Sequence, residues 1–216
     1  MKNPKIYAVA GSALMLGSLA FAGTSSTYAA APASNQLVEM EVRGQLNSLN
    51  NSGVRGFAEI DVMRDKVDVD VDARGLLANN PHAQHIHFGE QARHECPTLA
   101  MDDTNKDGRL TTLEGQPAYG PIRVSLTTRG DTSPASGLAV DRFPTAPRGV
   151  VKYNRHHIHT ESEVAKAIRN GEAVVVLHGV DYNHNGMYDF AGAGASELDP
   201  SLPAEATNPA ACGVLR

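Results

Sequence analysis

Tryptophan is absent from this 216-residue chain, aromatic residues make up 5% of it, and it has two cysteines. A disulfide-dense miniprotein and a cysteine-rich zinc module are thereby excluded. The 19 Lys and Arg are outnumbered by 24 Asp and Glu, form no cluster, and leave a net charge of −5. The electrostatic footprint of a nucleic-acid or anionic-lipid binder is missing. No Gly-x-Ser-x-Gly elbow, His-Glu-x-x-His pair, phosphate-cradling Gly-Lys-Ser/Thr or dinucleotide glycine fingerprint occurs, which removes the commonest hydrolase and nucleotide-binding signatures. Glycosidase carboxylates leave no such motif, but the acids here concentrate in polar loops and at outward strand positions. Beyond residue 22 no apolar run approaches the ~18 residues of a membrane span. What is present, 41% hydrophobic and 20% charged residues with 20 Gly and 12 Pro, is the composition of one globular domain.

Lys2 and Lys5 precede an apolar stretch from Ile6 to Ala22, followed by small-residue sites at Ala20-Phe21-Ala22 and Ala29-Ala30-Ala31. This is the pattern of a cleaved secretory signal. The expected organisation is a signal segment over 1–31, a polar spacer over 32–36 and a folded domain over 37–216. The mature chain is expected outside the cytosol, extracellular or periplasmic, with no membrane association. Residues 1–31 carry two Lys and no acid, so their removal deepens the net charge to −7. In an oxidising compartment Cys96 and Cys212 are expected to pair, two separate buried thiols being the alternative. The bridge would close a loop of roughly 115 residues, worth about 4–5 kcal/mol in the chain-entropy picture.

Alternation dominates the rest. Val38, Met40 and Val42 alternate with Glu39, Glu41 and Arg43; Ala58, Ile60 and Val62 with Glu59 and Asp61; Val67, Val69 and Val71 with Asp68, Asp70 and Asp72. Period two predicts half-buried strands, with the aspartate row on a solvated outer face. Further strands are predicted over 84–88, 122–127, 149–153 and 173–178, separated by Gly, Pro and Asn. The fold class is all-β, an antiparallel sandwich or barrel. One short helix is predicted over 164–170, opened by a capping box in Thr160-Glu161-Ser162-Glu163 and closed by Gly171.

The segment from Asp103 to Glu114 matches a twelve-residue calcium loop. Asp103, Asn105 and Asp107 offer side-chain oxygens at positions 1, 3 and 5, Gly108 permits the sharp turn, Arg109 offers its carbonyl, and Glu114 closes the shell. Hard oxygen donors suit Ca²⁺. Pro97 upstream and Gly115 and Pro117 downstream argue against flanking helices, so the expectation is a structural clamp in a β protein, not a sensor. A second loop repeats the first half of the pattern with Asp181, Asn183, Asn185 and Asp189, but its twelfth position is Gly192. A second calcium and a plain Asn/Gly turn are both open there.

His85 and His87 stand two apart in His82-Ala83-Gln84-His85-Ile86-His87-Phe88-Gly89 and so share one face of a predicted strand, from which two imidazoles can meet one metal. Cys96 follows, His178 ends the strand Val174-Val175-Val176-Leu177, and Ala211-Cys212-Gly213-Val214 stands near the end of the chain. With Gly75-Leu76 and His82 ahead of them, these segments in this order resemble the Cu/Zn superoxide dismutase family over most of 38–215. The chordin-type domain of bacterial secreted proteins is similar in its His-Ile-His segment. The resemblance implies a Greek-key fold with long metal-binding loops, a Cys96–Cys212 bridge, a structural role for His82, and copper on His85, His87 and His178, with superoxide as a substrate.

Two family features are missing. Between Cys96 and Ile122 there is no His, so the residue bridging copper to zinc is absent, zinc is not expected, and the calcium sequence occupies the loop that carries zinc ligands in the family. The family's guiding arginine is replaced by Pro209, with Arg216 and Arg93 as the candidates to stand in for it. His94 and the group His156, His157 and His159 are candidates for a fourth copper ligand, of which His159 is preferred. The expected function is a secreted metal-binding protein with structural calcium and a mononuclear copper site; a copper-only dismutase and a non-enzymatic extracellular interaction module are the alternatives.

Overall fold

Where apolar and polar residues alternate, the chain pairs into strands that put Val, Ile and Leu on one side. In the computed structural model, which describes residues 40–216, β1 (Met40–Ser48), β2 (Arg55–Val62) and β3 (Lys66–Arg74) form an antiparallel meander. Its register sets Val42 opposite Ile60 and Ile60 opposite Val69, so the apolar residues share a face. The expected signal segment 1–31 and spacer 32–36 lie outside the described residues.

The remaining elements are β4 (Gln84–His87), α1 (Leu99–Asp102), α2 (Thr112–Tyr119), β5 (Ile122–Ser125), β6 (Val150–His159), α3 (Ser162–Asn170), β7 (Val174–His178), α4 (Phe190–Ala193), α5 (Ala204–Thr207) and β8 (Pro209–Val214). The strands make one curled eight-stranded sheet, a half-barrel in the order β5-β4-β7-β8-β1-β2-β3-β6. All seven pairings are antiparallel. β8, the last strand, lies beside β1, the first, and so joins the β1-β2-β3 meander to the β5-β4-β7 half of the sheet. The fold is all-β, as the alternation predicts. No described helix is long and apolar enough to cross a membrane.

The sheet's inner face forms the main core, with Val42, Leu46, Ile60, Val69, Ile86, Val175 and Leu177 buried together. The two halves differ on the outside. β1, β2 and β3 expose alternate residues, whereas β4 and β7 are buried at every position and β8 at all but its last. Long connections cover that second half, and the functional side chains lie beneath them.

Several local expectations are corrected. Five short α-helices are present among the described residues where one was expected. The calcium-type sequence is flanked by helices after all: α1 precedes it, and α2 follows because Thr111 and Glu114 form a reciprocal capping box strong enough to carry Gly115 and Pro117. The capping box expected at Thr160 does not form; α3 starts at Ser162, ahead of the predicted 164, with Glu161 at its N-cap and no side-chain cap. Its closure by Gly171, in the left-handed region at φ 77°, is as predicted. β6 extends six residues past the predicted 153 to His159 because β3 offers it a full-length partner, with a bulge opposite Asp68.

A candidate metal centre of three histidines

The register of β4 against β7 explains the site. His85 faces Val176 and His87 faces Val174, so both rings project from the outer face, and His178, two residues beyond Val176, projects from it too. Their ring centroids stand 5.1 Å apart for His85 and His178, 5.6 Å for His85 and His87, and 6.3 Å for His87 and His178. One ring nitrogen from each lies within 4.8 Å of the other two. The three residues are 1–2% exposed.

The opposite nitrogen of each ring meets a backbone carbonyl: His85 Nε2 to Gly137 O at 3.1 Å, His87 Nδ1 to Gly120 O at 2.8 Å, and His178 Nδ1 to Thr207 O at 2.6 Å. A carbonyl only accepts, so each of these nitrogens carries the proton. The remaining nitrogens, Nδ1 of His85 and Nε2 of His87 and His178, are buried without a hydrogen-bond partner. Three lone pairs are thus left in one dry place, where unpaired buried polar atoms are costly. This set fits a metal ion, since a ligating His commonly fixes its tautomer by donating from its other nitrogen.

Burial, first, and then the neighbouring imidazoles hold these rings neutral. The His87 pKa falls to about 3, through burial and then His178, and that of His178 to about 4 through burial; His85 lies well below its ordinary value, through burial and then His178 and His87. No carboxylate belongs to the group. Phe143 meets His85 edge-on at 5.3 Å, and the Tyr119 ring lies 4.5 Å from that of His87. The Gly120 acceptor depends on its residue type: φ is 87°, and a Cβ would stand 2.7 Å from Gly89 N and 2.8 Å from Phe88 C.

Other histidines lie elsewhere. His159, the preferred fourth ligand, is at the exposed end of β6, on the far edge of the sheet from β5, with Nδ1 3.9 Å from Asp65. The trio is buried, whereas this ring is exposed beside Asp65 and does not belong to the convergent group. His156 pairs with Asp68 at 2.8 Å, and His157 sits in the bulge, its N–H bonded to the same carboxylate. His94 bonds Gly89 O and stacks on Phe88. His82, fully buried, sets its two ring nitrogens beside His178 O and Leu77 O, and a neutral ring donates to one of these carbonyls.

Cys96 and Cys212 form a disulfide, their Cα atoms 5.7 Å apart. Arg93 is engaged by Glu95 and by the buried Asp102, and Arg216 pairs its backbone with Arg43.

The two oxygen-rich loops share one conformation. In the first, Asp107 N–H donates to Asp103 Oδ1 and Asn105 Oδ1, Gly108 N–H to Asp103 Oδ2, and Arg109 N–H to Asp107 Oδ1. In the second, Asn185, Gly186 and Met187 repeat these bonds to Asp181, Asn183 and Asn185. Positive φ falls at equivalent places, Lys106 and Gly108 against His184 and Gly186. Glu114 folds back to accept from Thr104 and Asn105 while capping α2 through Thr111. Partial burial raises its pKa, but the hydrogen bonds from Thr111, Thr104 and Asn105 outweigh that and lower it overall. In the second loop Asp189 caps α4 instead, accepting from Ala191 and Gly192 N–H. The bare Gly192 makes room for the buried Glu205, which accepts from Tyr182 and Asp189 N–H.

Sequence reading missed the carbonyls of Gly120, Gly137 and Thr207 and the walls Tyr119 and Phe143. A backbone acceptor carries no residue signature. No family model matches the chain, and a search of curated proteins finds no match.

Proposed function

We propose that this is an exported metal-binding protein of superoxide dismutase-like fold, with one copper ion on His85, His87 and His178 and Ca²⁺ in the oxygen-rich loops. The observation that carries the copper reading is the trio of buried, unpartnered imidazole nitrogens, each ring locked by a carbonyl on its other side. All-imidazole donor sets suit Cu, Zn, Ni and Fe, and affinity peaks at copper in the divalent series. Bound copper would supply a one-electron redox couple. The protein's part is to keep three rings neutral, dry and convergent. Burial of all three at 1–2% exposure favours holding the ion over turning over superoxide, which supports the binding reading above the dismutase one.

Calcium in the first loop is supported by Asp103, Asn105, Asp107 and Glu114 at the loop positions Ca²⁺ requires. In the second, Asp181, Asn183 and Asn185 repeat the arrangement. Export is supported by the N-terminal pattern and by the disulfide, which fits an oxidising compartment.

Elemental analysis of the purified protein after copper loading and desalting tests the central reading. About one equivalent of copper is expected, lost in His87→Ala and in His178→Ala while His159→Ala retains it. Copper held equally by all three variants would contradict the site.

A further inference from the structure

α2 spans the distance between two of the three imidazoles. Its last residue, Tyr119, lays its ring against His87, and the next carbonyl, Gly120 O, accepts from His87 Nδ1. Its first residue, Thr112, donates from Oγ1 to Thr207 O at 2.6 Å, the same carbonyl that takes the His178 Nδ1 proton at 2.6 Å. A carbonyl has two lone pairs, and here both are used, one by the ring and one by the hydroxyl. The two ends are tied together, because Tyr119 Oη donates to Thr112 O at 2.7 Å. Tyr119 is fully buried, and Gly115 leaves the space its ring edge occupies.

We infer that Thr112 is a positioning residue of the histidine trio: its hydroxyl fixes the Thr207 carbonyl that orients His178, while its own carbonyl anchors the Tyr119 ring that orients His87. The inference deepens the metal-binding reading and rests on it for the consequence at the ion, but its effect on the rings exists without metal. Thr112 makes no hydrogen bond to either ring. It acts through the acceptor of one and the wall of the other, so α2 sets both together.

Thr112→Val removes the hydroxyl at nearly constant shape, and Thr112→Ser restores it. Two readouts separate positioning from mere stability. In metal-free protein, nitrogen-detected imidazole NMR should show one tautomer of His178, protonated at Nδ1, in the parent and Thr112→Ser, and a mixture in Thr112→Val. In copper-loaded protein, affinity from competition with a chromophoric chelator should fall about tenfold or more in Thr112→Val, the usual scale for loss of an outer-sphere partner, with a changed Cu(II) EPR spectrum, and recover in Thr112→Ser. A Thr112→Val protein with the parent's tautomer, affinity and spectrum would overturn the inference. A parent that binds no copper would overturn the metal reading and with it the consequence at the ion, whereas the tautomer experiment would still decide whether Thr112 orients His178.

Discussion

A neutral imidazole in a dry site is a pH-dependent contributor to stability, and its sign is fixed. His87 and His178 titrate at about 3 and about 4 in the folded protein, against about 6.5 in an unfolded chain. Below pH 6.5 the unfolded state takes up protons that the folded state refuses, so stability is fully present above 6.5 and declines as pH falls toward 4. His82, lowered by burial, acts in the same direction. His156, raised by its hydrogen bond and charge contact with Asp68, acts oppositely, but it is exposed and screened. The metal-free melting temperature should therefore drop between pH 6.5 and 5, above the range where most carboxylates titrate; a flat profile there would show that the rings are accessible. Gly120→Ala should cost more than ~1 kcal/mol, since its φ of 87° strains any side chain and its Cβ would strike Phe88 and Gly89. Chemical denaturation measures this, and copper affinity should fall with it. His85 and His87 were legible from their spacing of two on a strand. His178 was legible only through the resemblance, because nothing local distinguishes a histidine that ends an apolar strand from a buried structural one. The carbonyls that orient the rings were not legible at all.

Among the elements, β1, β2 and β3 could be read directly, for their outer face is solvated and alternation survives. β4, β7 and β8 are covered on both faces, so their sequences turn uniformly apolar or carry the site itself, and β8 went unread as a strand. α2 was missed because Gly115 and Pro117 argue against a helix, while the Thr111–Glu114 box that overrides them was assigned to a calcium shell. Glu114 serves the helix cap and the loop closure at once, and that is why the loop and the helix are one unit. Calcium at a hundredfold excess over its dissociation constant should add about 2.7 kcal/mol, a rise in melting temperature of roughly 5–10 °C for a domain of this size. Asp103→Asn should shrink that rise. Differential scanning calorimetry with Ca²⁺ and with chelator decides it, and identical curves would remove calcium from the account.

At the scale of the molecule, the half-barrel uses its inner face for the core and half of its outer face for the histidines. The disulfide ties the two together: Cys96 comes from the connection that follows β4, and Cys212 lies opposite Val176 in the register of β8 with β7, packed near Tyr119. With a sequence separation of 116 between the cysteines, the bridge restricts the unfolded chain by about 4–5 kcal/mol. Cys96→Ser/Cys212→Ser should melt roughly 10 °C lower than the parent, measured by circular dichroism without metal; equal melting temperatures would mean that packing alone holds the cover in place.

Convergence of His85, His87 and His178 on one ion is tested most directly by X-ray absorption at the copper edge of protein loaded with a single equivalent under reducing conditions. The account predicts a first shell of nitrogen neighbours with the multiple-scattering signature of three imidazoles, and two in His178→Ala. A shell of oxygen or sulfur scatterers, or one unchanged by that substitution, would contradict it.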